Sequence, residues 1–499
     1  MNTSLADLAR YQQKTWHLKG ISALLGWDAK TYMPTAGIAG RSQQLPLIEG
    51  LIHERITSAD YRKLLEKLIN LESGEIRDTS LSEREQRLLK ESLRDYRLAM
   101  ALPNEFVLEM AETASKAEHA WSEAREKNDY SIFRPYLEKI IGLCKKKAGY
   151  LALGATPYDS LLNAYEPGAN TVDLNRVFDE LKTETIQLIS KLPEAKPVPA
   201  FLKAKYNEQK QLDIAHDLMK EMGAPEENIR LDLTAHPFCT TIHCRDVRIT
   251  TRFDGIADCQ LTILHETGHA LYELGLPEEW YGTPLCEAVS MGIHESESRF
   301  WEVFIGKNRA FWQKQFPIMQ AAFPRQLKNV TPDSFYDAIN VLQPSMIRVR
   351  ADELTYNLHI IIRYELEQAM INGTIDVGAL PELWNDKYEK YLGIRPKNFS
   401  EGILQDIHWS FGDIGYFPTY TLGNLYAAHW WEQIQKDVPD VEGLIREHNF
   451  APILKWHREK IHCHGRAKTG AELVKSITGS GLSPKPLIRF LREKVSQLK

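Results

Sequence analysis

Apolar residues recur at helical intervals along most of this chain, and no other feature limits its fold as strongly. Between residues 81 and 102, leucines at helical spacing alternate with arginine and glutamate, so one helix face is apolar and the opposite face is charged. The same pattern marks residues 41–71, 105–126, 172–192 and 351–370. We expect helix caps at Ser80 and at Thr331, which Pro332 follows in a first-turn position.

Strand patterns are scarce in this sequence. The clearest is at residues 247–253, which alternate and are rich in β-branched side chains. No Gly/Ser linker, internal repeat or low-complexity block interrupts the 499 residues, and the short proline-rich stretch at 193–199 is the best candidate break. The sequence therefore predicts a mainly α protein with a small β-sheet, built as a single domain, 1–499, without a clear linker.

Composition and charge argue against several classes of partner. A net charge of −6 and a pI near 6.3 carry no polybasic signal for nucleic acid or an anionic membrane surface. No apolar run approaches the roughly eighteen residues of a membrane span, and the first residues lack the pattern of a signal peptide. Six cysteines in so long a chain are typical of reduced thiols. We predict a cytoplasmic protein without nucleic-acid or membrane partners.

One short motif, HExxH at residues 265–269, carries chemistry inside an apolar, helix-compatible run. On a helix, His265 and His269 share one face and lie one turn apart, so both rings can reach one zinc ion. Glu266 then points toward a water in the open coordination position. Because a lone HExxH can arise by chance, the third ligand decides whether this is a metal site.

The spacings at which better-known zinc peptidases carry their third ligand do not match this chain. Glu273 lies on the same helix, about 12 Å of helix rise beyond His265, and bonds to zinc are only about 2 Å long. The metzincin spacing requires Gly at 272 and His at 275, where this chain has Tyr272 and Gly275. Aminopeptidase and thermolysin-like spacings require Glu at 288 or 289, where it has alanine and valine.

The next suitable acid is Glu295, which follows the apolar segment 288–293 and lies one turn before Arg299. Glu297 would face the other way on a helix, and we expect it to be a solvated carboxylate. A zinc ion would lower the pKa of its water to about 7, while Glu266 accepts the water proton and later donates it to the leaving amine. Peptide hydrolysis is the reaction best suited to these parts.

Several other motifs accompany the HExxH sequence. They are HPF at 236–238, DxRxT at 246–250, HES at 294–296, IRxxAD at 347–352 and GxxQDxHW at 402–409. With HExxH these motifs make the chain resemble the carboxypeptidase Taq family of metallocarboxypeptidases along essentially its whole length.

The resemblance implies a large, two-lobed, mainly helical metalloprotease with a deep central groove and a small sheet beside the HExxH helix. It implies a homodimer with one Zn²⁺ per subunit, for which Co²⁺ may substitute, acting on peptide substrates with a free C-terminus. Single C-terminal amino acids of many kinds would be released. It also implies His265, His269 and Glu295 as metal ligands and Glu266 as the catalytic acid and base.

A carboxypeptidase must hold the free α-carboxylate of its substrate, and the planar fork of arginine pairs with a carboxylate through two hydrogen bonds. Arg348 is the first candidate because it fills the position in the IRxxAD motif. Arg350 and Arg248 are the alternatives. Each of them could instead form a structural ion pair, with Asp352 or Asp246 as the nearby partner.

Amide hydrolysis also needs a donor aimed at the developing oxyanion. His408 and Tyr420 are candidates for this catalytic role, and Tyr416 is a candidate for substrate binding. His236 either lines the closed end of the groove or is a hydrogen-bonded core histidine. We expect four aromatic residues to be core packing: Trp409, Phe411, Phe417 and Tyr426.

The sequence leaves two other functions open. One is a zinc oligopeptidase or dipeptidyl carboxypeptidase of the HExxH class, which would release internal fragments or dipeptides. The other is a non-catalytic, zinc-stabilised peptide-binding protein. An intact Glu266 argues against the second, because structural zinc sites are usually closed by four protein ligands.

Overall fold

The computed structural model describes residues 3–194 and 197–498. Residues 195 and 196, which belong to the candidate break at 193–199, lie outside that part. The helices are α1 (Thr3–Thr31), α2 (Ile38–Thr57), α3 (Ala59–Glu66), α4 (Glu83–Ala101), α5 (Asn104–Lys127), α6 (Tyr130–Leu151), α7 (Pro157–Tyr165), α8 (Thr171–Ile189), α9 (Glu208–Glu221), α10 (Ile256–Gly275), α11 (Met291–Arg299), α12 (Arg309–Ala322), α13 (Pro332–Ile339), α14 (Tyr356–Ile371), α15 (Leu380–Leu392), α16 (His408–Phe411), α17 (Pro418–Asp437), α18 (Val441–Arg446), α19 (Ala451–Lys460), α20 (Gly470–Thr478) and α21 (Lys485–Ser496). The predicted mainly α fold is confirmed.

Helix starts follow the expected capping chemistry, with one correction. Thr331 caps α13 through the backbone N–H of Ser334, and Pro332 fills the first turn, as predicted. The predicted cap at Ser80 is wrong, because α4 is capped by Ser82. There Glu85 bonds back to the Ser82 N–H and forms a reciprocal capping box.

Three short strands form the small sheet beside α10. They are β1 (Ile229–Leu233), β2 (Cys239–His243) and β3 (Asp246–Thr251), with β3 in the centre, parallel to β1 and antiparallel to β2. Val247 and Ile249 of β3 are fully buried in the core that also contains the apolar face of α10. The predicted strand at 247–253 therefore corresponds to β3, and the sheet packs on the HExxH helix.

Two clusters of buried residues hold the described part of the chain together. The larger runs through α5 to α21 and contains the fully buried Trp301, Trp312, Trp384 and Trp430. The smaller joins α1, α3 and α4 through leucines around Tyr61. Among the described residues no helix is long and apolar enough to cross a membrane.

A π-helical turn, Phe300–Ile305, continues α11 without a break. Within it the Gly306 N–H donates to the carbonyl of Trp301, five residues earlier, at 2.8 Å. Such turns are rare and occur mostly at functional sites. This one carries Glu302, which contacts a candidate metal ligand.

Candidate metal centre and active site

Two closely packed helices bring the three predicted metal ligands together. α10 presents His265 and His269 on one face, and α11 presents Glu295 toward them. Gly268 allows this approach, because a Cβ at that position would lie 2.8 Å from the Glu297 carbonyl oxygen and 2.9 Å from the Ser298 Cα. The HExxH glycine is thus required by the packing of α10 on α11.

The three side chains fit a divalent metal ion. Glu295 Oε2 lies 3.9 Å from His265 Nε2 and 3.6 Å from His269 Nε2. A tetrahedral ion with ligand bonds of about 2.0–2.1 Å separates its ligand atoms by about 3.3–3.4 Å. The three side chains would therefore have to move only slightly closer together to bind such an ion. The carboxylate and the two imidazoles form a donor set typical of such an ion.

Hydrogen bonds to the opposite ring nitrogens orient both histidines. His265 Nδ1 lies 2.8 Å from Glu302 Oε2, and His269 Nδ1 lies 3.1 Å from the His294 carbonyl oxygen. Burial opposes the ionisation of Glu302, but Arg299 and His265 outweigh it and lower the Glu302 pKa to about 2. Each Nε2 is therefore left facing Glu295, an arrangement common around metal-bound histidines.

Glu266 has the environment expected of a proton-transferring carboxylate. It is buried, its Oε2 has no hydrogen-bond partner among the described residues, and it lines a groove together with His265. Burial raises the pKa of Glu266 to about 7. A groove-lining carboxylate with an unpartnered oxygen is suited to accept a proton from a reacting molecule there.

The groove has a volume of about 950 Å³ and three walls. One wall is the first part of α10, a second is the segment 197–202 with Pro237, and the third is the segment 338–352. Its lining carries charges of both signs: the cations are Arg252, Lys307 and Arg350, and the carboxylates are Asp254, Asp258, Glu266, Glu302 and Asp352. A peptide entering it would therefore meet single cations among carboxylates, on the side of the site that His265 lines.

Of the three candidate arginines, only Arg350 lines this groove among the described residues. Arg348 is 6% exposed and donates from Nε and Nη2 to Asp406 Oδ1 at 3.0 and 2.8 Å. The geometry thus favours a structural ion pair for Arg348, although its partner is Asp406 and not the expected Asp352. Asp352 instead accepts backbone N–H bonds at the start of α14.

Arg248 and His236 do not line the groove, where a substrate-binding role would place them. Arg248 pairs with Asp246 through two hydrogen bonds of 2.6 and 2.9 Å, and its guanidinium lies over the Trp27 ring. His236 is exposed, which contradicts the core-histidine alternative, and the neighbouring Pro237 lines the groove in its place. Neither residue therefore faces the groove in this structure.

His408, Tyr416 and Tyr420, which the sequence offered as separate candidates, form one aromatic cluster. His408 Nε2 lies 3.3 Å from the Tyr420 hydroxyl, and the rings of Tyr416 and Tyr420 have their centroids 5.4 Å apart. Burial lowers the pKa of His408 to about 4. Burial, and then the charge of Glu295, raise the pKa of Tyr416 to about 12. These groups therefore stay neutral and can donate hydrogen bonds near neutral pH.

Tyr356 belongs to the same region but was missed in the sequence. Its hydroxyl accepts a hydrogen bond from Arg348 at 3.1 Å, and the Arg299 guanidinium lies 5.2 Å from its ring centroid. Burial raises its pKa, and the charge of Glu295 is among the further causes. Tyr356 thus connects the Arg348 ion pair with the surroundings of Glu295.

Two expectations about individual side chains were wrong. Glu297 is not solvated, because it is 1% exposed and its Oε2 lies 2.8 Å from both His457 Nδ1 and His462 Nε2. Both distances are those of hydrogen bonds, so this cluster joins α11 to the C-terminal helices. Phe411 is 39% exposed and is not a core residue, whereas the other three aromatic residues are buried.

The sequence profile described as carboxypeptidase Taq (M32) metallopeptidase matches residues 7–495. The chain therefore belongs to the carboxypeptidase Taq (M32) family, as its motifs indicated. It is a metallocarboxypeptidase, a peptide hydrolase, and the oligopeptidase alternative has no support.

Individual relatives agree over the full length. The chain is 41% identical to thermostable carboxypeptidase 1 of Pyrococcus furiosus, over 98% of this chain and 97% of that protein. It is 40% identical to carboxypeptidase 1 of Bacillus subtilis, over 97% and 96%. The solved structure of an M32 carboxypeptidase from Deinococcus radiodurans R1 is similar with a TM-score of 0.95 and 37% identity, covering 100% of this chain and 99% of the other.

Proposed function

We propose that this enzyme is a zinc carboxypeptidase that releases single residues of broad side-chain type from peptides with a free C-terminus. The observation that carries the proposal is the unpartnered carboxylate oxygen of Glu266, a residue that lines a groove together with His265 and Arg350. Two histidines and one carboxylate form a donor set that suits zinc with one open position. Cobalt would be able to take the same place.

The chemistry divides among Glu266 in the groove, the metal ligands and the aromatic cluster of His408 and Tyr420. A bound zinc ion would supply a water of lowered pKa and polarise the substrate carbonyl. Glu266 takes the proton of the attacking water and gives it to the amine of the departing residue. His408 and Tyr420, both neutral, donate hydrogen bonds to the oxygen on which negative charge develops.

Arg350 is proposed as the anchor of the substrate's terminal carboxylate, in place of Arg348. Arg350 lines the groove, whereas the guanidinium of Arg348 is already bound to Asp406. A second cation of the lining, Lys307, is held by Glu353 at the base of the wall. The guanidinium of Arg350 can donate two hydrogen bonds to the carboxylate and so select the peptide end.

The test of the proposed mechanism is Glu266→Gln. We expect kcat to fall about 100- to 10,000-fold while metal content, measured by elemental analysis, stays at one ion per chain. Retention of most of the turnover would refute the role of Glu266. Mass spectrometry of a peptide series then tests the mode of cleavage, since single-residue ladders that vanish on C-terminal amidation are expected. Dipeptide or internal products would contradict it.

We also propose a homodimer and a cytoplasmic location, with residues 1–499 acting as one catalytic domain. The dimer is supported by large apolar side chains on α1 and α2 that are exposed in the single chain, among them Ile38 at 60% and Leu47 at 64%. Burial of such a surface favours association. Light scattering of Leu47→Glu should report a monomer, while Leu108→Glu on α5 should leave the dimer intact.

A further inference from the structure

A buried carboxylate with no role in the chemistry above, Glu367, is bonded to both ends of the loop that carries the donor cluster. Glu367 lies on α14 and is fully buried. Its Oε1 accepts from Trp409 Nε1 at 2.8 Å, and its Oε2 accepts from the Gly415 N–H at 3.0 Å and from the Tyr158 hydroxyl at 2.7 Å. Trp409 directly follows His408, and Gly415 directly precedes Tyr416.

The loop between these two contacts needs such a restraint. Gly412 and Gly415 adopt positive φ angles of 76° and 90°, a conformation that side-chain-bearing residues rarely adopt. A Cβ at Gly415 would lie 2.8 Å from the Leu162 backbone nitrogen, so the loop is also pressed against α7. Glycine-rich backbone is costly to order, and the bonds to Glu367 fix it at two points.

Only a carboxylate meets this set of partners. The three partners described are donors that come from three different segments, and they converge on the two oxygens. In glutamine one oxygen would become an NH₂ group, which would face either the Trp409 N–H or the Gly415 N–H. A buried donor without an acceptor costs about 1–3 kcal/mol, so the loop would shift to relieve it.

We propose that Glu367 is a positioning residue that holds His408 and Tyr420 in the geometry required for transition-state stabilisation. It acts through Trp409 and Gly415 and does not touch the substrate. The 3.3 Å separation of His408 Nε2 and the Tyr420 hydroxyl is the quantity that it maintains. This inference rests on the proposed donor roles of His408 and Tyr420.

The experiment compares Glu367→Gln with the double variant Glu367→Gln/Trp409→Phe in the zinc-loaded enzyme. For E367Q we expect kcat to fall about 10- to 100-fold, with KM and metal content unchanged. Because Glu367 acts on the loop partly through the Trp409 N–H, phenylalanine at 409 removes a bond that E367Q has already weakened, so the double variant should lose little further kcat, whereas Trp409→Phe alone should lose kcat as E367Q does. Glu365→Gln, two residues away on the same helix but paired with Lys182 and Lys387, should keep wild-type kcat.

Each other outcome has a defined meaning. A folded E367Q with wild-type kcat, or losses of kcat in E367Q and Trp409→Phe that multiply in the double variant as for independent sites, would overturn the inference. If E367Q does not fold, Trp409→Phe alone decides, because it keeps the Glu367 carboxylate and its bonds to Gly415 and Tyr158; wild-type kcat in that variant would then overturn the inference. His408→Ala and Tyr420→Phe separate the two proposals: if both retain full kcat, the donor roles fail, whatever E367Q does.

Discussion

A single methyl group on α17 should weaken metal binding without replacing any ligand. Gly423 faces Glu295, and a Cβ built there would lie 2.6 Å from Glu295 Cγ, 2.8 Å from its Cβ and 3.2 Å from its carbonyl carbon. Separations below 3 Å are not tolerated. Turning the Glu295 side chain would relieve the contact with Cγ, but its Cβ is fixed to the backbone, so α11 and α17, which are packed closely along their length, must also shift slightly apart. Both movements displace the Glu295 carboxylate.

The size of the effect follows from the cost of overpacking. One extra carbon in a packed core costs about 1–3 kcal/mol, while alanine gains about 1 kcal/mol over glycine in a helix interior. If Glu295 is displaced from its ligating position, the overpacking cost reduces the free energy of metal binding by the same amount. Metal affinity should then fall about 5- to 150-fold, since each 1.4 kcal/mol is about a tenfold change.

Competition with a chelator of known affinity measures this change directly, and urea unfolding of the metal-free protein measures stability. The matched control is Gly142→Ala in α6, where a Cβ meets nothing within 4 Å. That variant should bind metal as the wild type does and gain up to about 1 kcal/mol. The reasoning is refuted if Gly423→Ala binds metal with wild-type affinity and keeps its kcat.

Three further predictions concern other parts of the molecule. Burial raises the pKa of Glu166 from 4.5 to about 7, so the folded protein keeps a proton that the unfolded chain releases between those pH values, and stability falls as pH rises through them. At about 1.4 kcal/mol per pH unit, this decrease in the free energy of unfolding amounts to about 3 kcal/mol. Urea unfolding across this pH range should show that the decrease is absent in Glu166→Gln. Arg348→Met, which leaves Asp406 with Arg363 as its remaining cation, should cost about 3 kcal/mol of stability, whereas Arg350→Met should raise KM with stability unchanged. Chelation should abolish hydrolysis but leave the far-ultraviolet circular dichroism largely intact, unlike the loss of a structural zinc.

Much of the fold could be predicted because helical periodicity is a local signal. The predicted range 105–126 corresponds to α5, Asn104–Lys127, and 172–192 to α8, Thr171–Ile189. The strand order with β3 in the centre could not be predicted, because it depends on pairing between distant segments. The cap at Ser82 could have been found, since Glu85 three residues later is a recognised capping signal.

In the candidate site, too, local spacing could be read from the sequence, whereas contacts between distant segments could not. Helical spacing alone put His265 and His269 on one face, and elimination of other spacings left Glu295. The sequence could not show which arginine faces the groove. Arg348 and Arg350 lie two residues apart in the same motif, and only the folded structure shows that Arg348 pairs with Asp406 while Arg350 lines the groove. Glu302 could have been noticed in the sequence, because it is the single acid in the apolar run 300–305. A charge buried in such a run needs a partner.

The π-helical turn, Phe300–Ile305, makes the site sensitive to chain length as well as to side-chain identity. Each residue of an α-helix advances the direction of its side chain by about 100°. Removing one residue here would restore ordinary helical winding and rotate Glu302 away from His265, although every functional side chain would still be encoded. Recombination or engineering that inserts or deletes a residue in this turn should therefore be far more damaging than substitution within it. Chimeras with relatives should cross over outside these six positions.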